Sequence, residues 1–269
     1  MSDPENTSTL TLFRGWPTRG EHVWSPFVVK LEARLRFAGM TYEAGAGSPR
    51  SAPKGKIPYI TIRPPGKAEL VQMGDSTLII QQLVRWEVVP DLNASLSAED
   101  RAQDLATRAL LEDKLYFYHT RERWFDNYYA MRDHALSAIP WPARVLVGLL
   151  AYRSHKATLY GQGTLRLSDE EVRASKKEIW ETISGVLSSS AARARNTRTS
   201  KAAGAEEPFW FLGGHEPTEV DATLFGFIVS VLLCTAGPES REIVGQYPVL
   251  AEYAERIHAT YFPDYSKWC

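Results

Sequence analysis

The chain has 269 residues, 44% of them hydrophobic and 23% charged, which is ordinary globular usage with enough apolar material to bury a core. Lys and Arg total 31 against 32 Asp and Glu, so the net charge is −1 and no bulk field attracts polyanions; nucleic acid is excluded as a default partner. Cys234 and Cys269 stand far apart with no CxxC pair, too few for a disulfide framework and suited to a reducing compartment. The N-terminal residues are polar and acidic without a signal-peptide pattern, and no apolar run reaches the length of a membrane span. A soluble, cytoplasmic protein is expected.

Residues 9–13 read as a first strand, ended by Gly15 and Pro17. Ser25-Pro26 then opens a helix, with serine at the N-cap and proline at the first helical position. Phe27, Leu31 and Leu35 keep its apolar face until Gly39. A short strand fits residues 41–43, and the Gly-, Pro- and Ser-rich stretch 45–55 reads as a loop. Residues 57–62 and 70–72 read as two strands about a turn at Pro64-Pro65-Gly66. A second helix follows Asp75, with Ile79, Leu83 and Trp86 on one side.

After Pro90 the pattern is helical. Ser97 begins a long helix carrying Leu111, Leu115 and Tyr118; residues 139–142, Ile-Pro-Trp-Pro, break it. Further helices fit 143–160, 170–187 and 249–260. Thr218 opens another whose buried side carries Val220, Leu224, Phe227 and Val231. The expected organisation is α/β plus all-α: one unit over 8–90, and an all-helical unit over 97–262 with a flexible basic loop at 188–206.

Four local signals carry chemistry or capping. The N-terminus at Ser25 offers unpaired N–H groups and a positive dipole end, and a hydroxyl there can lower the pKa of a bound thiolate; taken alone, the serine reads as a plain cap. Lys56-Ile57-Pro58 precedes a strand, where a cis proline turns the Ile57 backbone outward toward an extended ligand and a trans proline merely ends a loop. Asp75 and Ser76 suit either capping or a ligand's ammonium and carboxylate. Thr218 and Asp221 form a capping-box pattern, a folding signal.

In this order and spacing the residues resemble the glutathione-transferase superfamily, in the branch of the failed-axon-connections proteins and metaxins. The matching residues are Ser25-Pro26-Phe27 with Lys30, Leu31 and Glu32, Gly55-Lys56-Ile57-Pro58-Tyr59-Ile60, and Asp75-Ser76. In the second half they are Gly161-Gln162-Gly163 before residues 168–172, and Phe211-Leu212-Gly213-Gly214 before residues 221–226. The resemblance implies a thioredoxin-like domain followed by a glutathione-transferase helical domain, with glutathione as co-substrate. It implies that Ser25 activates the glutathione thiol and that Ile57, before cis-Pro58, pairs with the cysteinyl backbone. Asp75 and Ser76 would hold the γ-glutamyl end, and Lys56 the glycine carboxylate. Omega-like relatives carry cysteine where Ser25 stands, which turns the expected chemistry from thiol exchange toward conjugation or double-bond isomerisation of a small apolar electrophile. A homodimer is also implied, as is Tyr116 or His119 facing the electrophile between the domains. The competing reading is a non-catalytic adaptor that keeps the fold.

The six histidines form no HxxxH or Cys/His cluster, so no metal is expected. Arg193, Arg195, Arg198 and Lys201 lack interleaved aromatics and read as a solvated run.

Overall fold

The computed structural model describes residues 10–197 and 208–268. Four strands form one mixed sheet: β1 (Leu10–Phe13), β2 (Glu43–Gly45), β3 (Tyr59–Ile62) and β4 (Val71–Gly74), in the spatial order β2-β1-β3-β4. β2 runs parallel to β1; β3 is antiparallel to both β1 and β4. Helices α1 (Pro26–Phe37) and α2 (Ser76–Arg85) complete the thioredoxin-like domain. The two-residue period of the strands puts Leu10, Leu12, Ile60 and Ile62 into one core with Leu31, Leu35, Ile79 and Leu83. β2 begins at Glu43 rather than at residue 41, because its register is set by pairing with Thr11, Leu12 and Phe13.

The helical domain begins at Ser97, whose hydroxyl accepts from Asp100 N–H and caps α3 (Ala98–Ala109). A π-helical stretch (Leu110–Leu115) leads into α4 (Tyr116–Arg121), and a second one (Glu122–Asp126) precedes α5 (Tyr128–Ala135). Past the proline break come α6 (Ala143–Gln162), α7 (Asp169–Thr197), α8 (Glu219–Leu233), α9 (Pro238–Gly245) and α10 (Pro248–Tyr261). Among the described residues no single helix is long and apolar enough to cross a membrane; α8 and α9 qualify only as a pair bent by 116°.

Helix α7 corrects the expected loop at 188–206. It continues through residues 188–197, with Ala191 buried and the buried Ser190 hydroxyl donating to Phe211 O at 3.0 Å. Alanine and arginine are strong helix formers, so the compositional bias here favours helix. The serines that would compete with the helix return bonds to it, as Ser189 does to Gly185 O. The rest of that expected loop, 198–206, lies outside the described residues.

Helix α8 is buried on every side from Glu219 to Val231, where the sequence pattern placed only one side inward. Its second face packs on α1. A Cβ at Gly226 would sit 2.5 Å from Pro26 O and 2.8 Å from Lys30 N, so only glycine lets the two backbones approach this closely. The start of α8 is fixed by Asp221, which is fully buried. Its Oδ2 accepts from Thr218 N–H and the Thr218 hydroxyl, both at 2.8 Å; its Oδ1 accepts from Phe211 N–H at 2.7 Å and the Tyr253 hydroxyl at 2.8 Å.

Burial also sets an acid limit on the fold. Desolvation holds His119 well below the usual 6.5, His155 at about 4 and His22 at about 3, the last with help from neighbouring His258 and arginines. A histidine whose folded pKa is depressed contributes stability above 6.5 and loses it as pH falls toward the folded value. Each such group sets a slope of up to about 1.4 kcal/mol per pH unit. Denaturant unfolding at about pH 7 and about pH 5 is therefore expected to show a loss of a few kcal/mol on acidification. A level stability over that interval would contradict the neutral assignment.

Candidate functional site

The register of the sheet brings three turns to one end of it. Phe13 pairs with Tyr59, and Tyr59 with Gly74, so the exit of β1, the entry of β3 and the exit of β4 lie side by side. Those turns lead respectively to Ser25, come from the cis Ile57–Pro58 bond, and run into Asp75-Ser76.

Ser25 caps α1 in extended conformation (φ −81°, ψ 116°) and is half-buried. Its Oγ accepts from Val28 N–H at 3.4 Å, a long bond for a cap, and its own O–H has no acceptor among the described residues. The hydroxyl and the first N–H groups of α1 thus form a donor set suited to an anion. Pro58 is buried and Ile57 half-buried beside Gly15, whereas Lys56 is exposed. Asp75 adopts φ 80°, ψ 114°, a conformation that a non-glycine residue reaches only with strain, and such strain concentrates at ligand clamps. Its Oδ1 caps α2 through Thr77 and Leu78 N–H, each at 3.1 Å. Ser76 is buried, and its hydroxyl makes no hydrogen bond among the described residues.

Long-range contacts hold these groups in place. The Trp24 carbonyl, one residue before Ser25, accepts from the Ser230 hydroxyl at 2.5 Å and from Arg123 Nη1 at 3.1 Å. Arg123 also reaches Ser230 Oγ and Ser230 O, so the second π-helical stretch and α8 together clamp the start of α1. Behind Ser76, Lys30 Nζ meets Thr77 Oγ1 at 2.8 Å and Glu112 Oε1 at 2.6 Å; Thr77 and Thr223 also donate to Glu112. Beneath the 14–24 segment, Arg14 and Glu32 form a fully buried pair at 2.9 Å. Arg14 donates to Thr18 O and Glu21 O, and Glu32 accepts from Tyr42 and Tyr265 hydroxyls. Burial raises the Glu32 pKa, with Arg14 opposing. Arg123 and Ser230 were not singled out in sequence, since separations of 107 and 206 residues leave no local signal.

Of the two residues expected to face an electrophile, Tyr116 is half-buried and meets the Phe27 ring edge-on at 4.9 Å, within the first turn of α1. His119 does not face an opening. It is 2% exposed, enclosed by Trp180 and Phe227, with Nε2 buried and unpartnered among the described residues. The π-helical stretch just ahead of α4 shifts the helical phase, so the 3.6-residue period does not carry through to His119. His134 of α5 stacks on Trp24, the residue before Ser25, at 3.4 Å and 8°. Among the described residues no group of three His, Cys, Asp or Glu side chains is placed to hold a metal. Two open cavities, of about 1070 Å³ along β2 and the C-terminal segment and about 410 Å³ between α2 and α3, are not lined by Ser25, Pro58, Asp75 or Ser76.

Comparison with known families identifies the architecture. A glutathione S-transferase N-terminal domain matches residues 26–131, and a glutathione S-transferase C-terminal domain matches residues 207–257. The chain belongs to the glutathione S-transferase family. Glutathione is the co-substrate of this family. The isoprene-epoxide–glutathione S-transferase of Rhodococcus sp. is 28% identical over 266 residues, covering 94% of this chain and 99% of that protein. Failed axon connections of Drosophila melanogaster is 26% identical over 264 residues, covering 91% of this chain. The chain spans 56% of the length of that Drosophila protein. A rice GST solved in complex with glutathione has the same fold, with a TM-score of 0.53 at 18% identity, covering 97% of this chain and 92% of that one.

Proposed function

We propose that the chain is a glutathione transferase that adds the glutathione thiolate to a small apolar electrophile. The observation that carries this reading is the half-buried Ser25 hydroxyl at the N-terminus of α1, at the sheet end shared with cis-Pro58 and the strained Asp75-Ser76 turn. The Ser25 O–H donates to the sulfur, and the helix N-terminus adds its partial positive charge. Backbone groups of Ile57 pair with the cysteinyl unit. Ser76 takes the γ-glutamyl carboxylate and Asp75 its ammonium, while exposed Lys56 meets the glycine carboxylate. Phe27 and Tyr116 wall the electrophile's side.

A hydrogen bond to a charged acceptor contributes about 1.5–3 kcal/mol and the helix terminus about 0.3–1 kcal/mol. Together they lower a thiol near 8.5 by about two units, which makes much of it nucleophilic at neutral pH. Isomerisation uses the same adduct followed by elimination of glutathione; consumption of glutathione with turnover distinguishes conjugation from it.

Calorimetric titration with glutathione tests the reading. Binding at millimolar affinity or tighter is expected. Absence of binding would return the chain to a non-catalytic binding protein that retains the fold.

A further inference from the structure

Helix α6 carries an apolar stripe on the side that a surface helix ordinarily gives to charge. Its inner face is fixed by packing. Tyr152 meets the rings of Phe125 and Tyr128 at 5.7 and 5.4 Å, His155 stacks on Trp124 at 4.5 Å, and Leu159 is buried. Gly148 lies so close to α5 that a Cβ there would sit 2.6 Å from the Tyr128 hydroxyl. Gly148, Tyr152, His155 and Leu159 follow the helical period, so the opposite stripe, Leu146, Leu149, Leu150, Arg153 and Tyr160, points away from the protein. Leu146 is 64% exposed, Leu149 50%, Leu150 60% and Tyr160 60%, and Trp141, just before the helix, 74%.

The charge on this face has one sign. From His134 to Ser168 the sequence has no Asp or Glu, while Arg144, Arg153, Lys156 and Arg166 fall within it. Arg153 and Lys156 are exposed and have no acidic partner among the described residues, and Arg166 stands over the Tyr160 ring at 5.0 Å. The bordering acids Asp133 and Asp169 are paired with Arg132 and Arg121. Exposed Trp, Leu and Tyr thus share a surface with unneutralised cations. A two-fold contact between copies would set this face against itself, bringing Arg153 and Lys156 toward their own counterparts with no carboxylate on the face to separate them. An anionic partner is what the charges fit.

We propose that α6 is a membrane-surface helix that lays this face on a bilayer containing anionic lipid. The leucines enter the boundary between headgroups and acyl chains, and Trp141 and Tyr160 sit at headgroup level at the two ends. Arg153 and Lys156 reach past the leucines to the lipid phosphates and carboxylates. A helix of 20 residues is about 30 Å long, and this one lies flat on the surface; with three Lys and Arg on it, α6 does not cross. Neither of the two cavities is lined by these residues, so the face is a ridge for a flat interface rather than a groove for a peptide. No residue of the thiol site lies on α6, so this surface stands apart from the transferase reading.

Co-sedimentation of the full chain with phosphatidylcholine vesicles, with and without phosphatidylserine, provides the test. Binding is expected to the phosphatidylserine vesicles and is expected to weaken with added salt. Each cation at the surface contributes about fivefold, so Arg153→Gln with Lys156→Gln is expected to weaken partitioning by about 20-fold. Leu146→Gln with Leu150→Gln is expected to weaken it by about 10-fold or more. All four positions are exposed, so circular dichroism of both variants should match the unaltered protein. Binding that persists unchanged in both folded variants places the contact elsewhere and overturns the assignment to α6. Absent binding, or equal binding to the two vesicle types, by the unaltered protein also overturns it. In that case a dimer in sedimentation equilibrium that Leu146→Gln with Leu150→Gln dissociates assigns the face to a second copy instead.

Discussion

Ser25→Ala is expected to lower glutathione-dependent turnover of a chlorodinitrobenzene by roughly 10- to 100-fold. The range follows from losing one charge-assisted hydrogen bond of about 1.5–3 kcal/mol, at 1.4 kcal/mol per tenfold. The helix N-terminus remains, so residual activity is expected. The fold should lose little, because replacing an N-cap serine costs about 1 kcal/mol and the Val28 bond replaced here is long at 3.4 Å. Steady-state rates and denaturant unfolding on the same preparation separate the two effects. Unchanged turnover removes Ser25 from the chemistry. A loss of turnover matched by a collapse of stability assigns it to capping alone.

Glu32→Ala has the largest expected effect on stability, a loss of about 3–5 kcal/mol, because it strands the fully buried Arg14 guanidinium. The Tyr42 and Tyr265 hydroxyls lose their acceptor as well. The consequence reaches the site, since Arg14 holds Thr18 and Glu21 carbonyls in the segment that ends at Ser25. A double change, Arg14→Met with Glu32→Leu, removes both charges and is expected to recover most of the loss, as apolar replacement of buried ion pairs often does. Urea unfolding of the two variants gives the test. A single-variant cost below about 1 kcal/mol would mean that water reaches the pair.

The starts of α1, α2, α3 and α8 were legible because local chemistry marks them. Ser25-Pro26, Asp75, Ser97 and the Thr218–Asp221 box each satisfy orphan N–H groups within three residues of themselves. The break at 139–142 was legible from two prolines. The length of α7 was not, because a Ser-, Ala- and Arg-rich stretch reads as a linker until Ser190 finds Phe211 across the fold. Nor was the full burial of α8, since its second face is decided by contact with α1 at Gly226.

Within the proposed site, Ser25, Pro58, Asp75 and Ser76 were marked by local sequence and share one end of the sheet, whereas His119, offered with Tyr116 as a pocket residue, lies buried in the helical core. His119 was read on a regular helix, and the π-helical stretch ahead of it alters which face each residue presents. His134 sits beside Trp24 only because α5 folds back against the β1–α1 segment, a contact across 110 residues with no local signature. Arg123 and Ser230, which clamp the Trp24 carbonyl, are hidden for the same reason.

The central claim is that the Ser25 end of α1 stabilises a thiolate. The most direct measurement is the pKa of the bound glutathione thiol, followed by thiolate ultraviolet absorbance through a pH titration of the complex. The account predicts a value about two units below the ordinary 8.5, rising toward it in Ser25→Ala. A bound thiol that titrates where the free thiol does would contradict it.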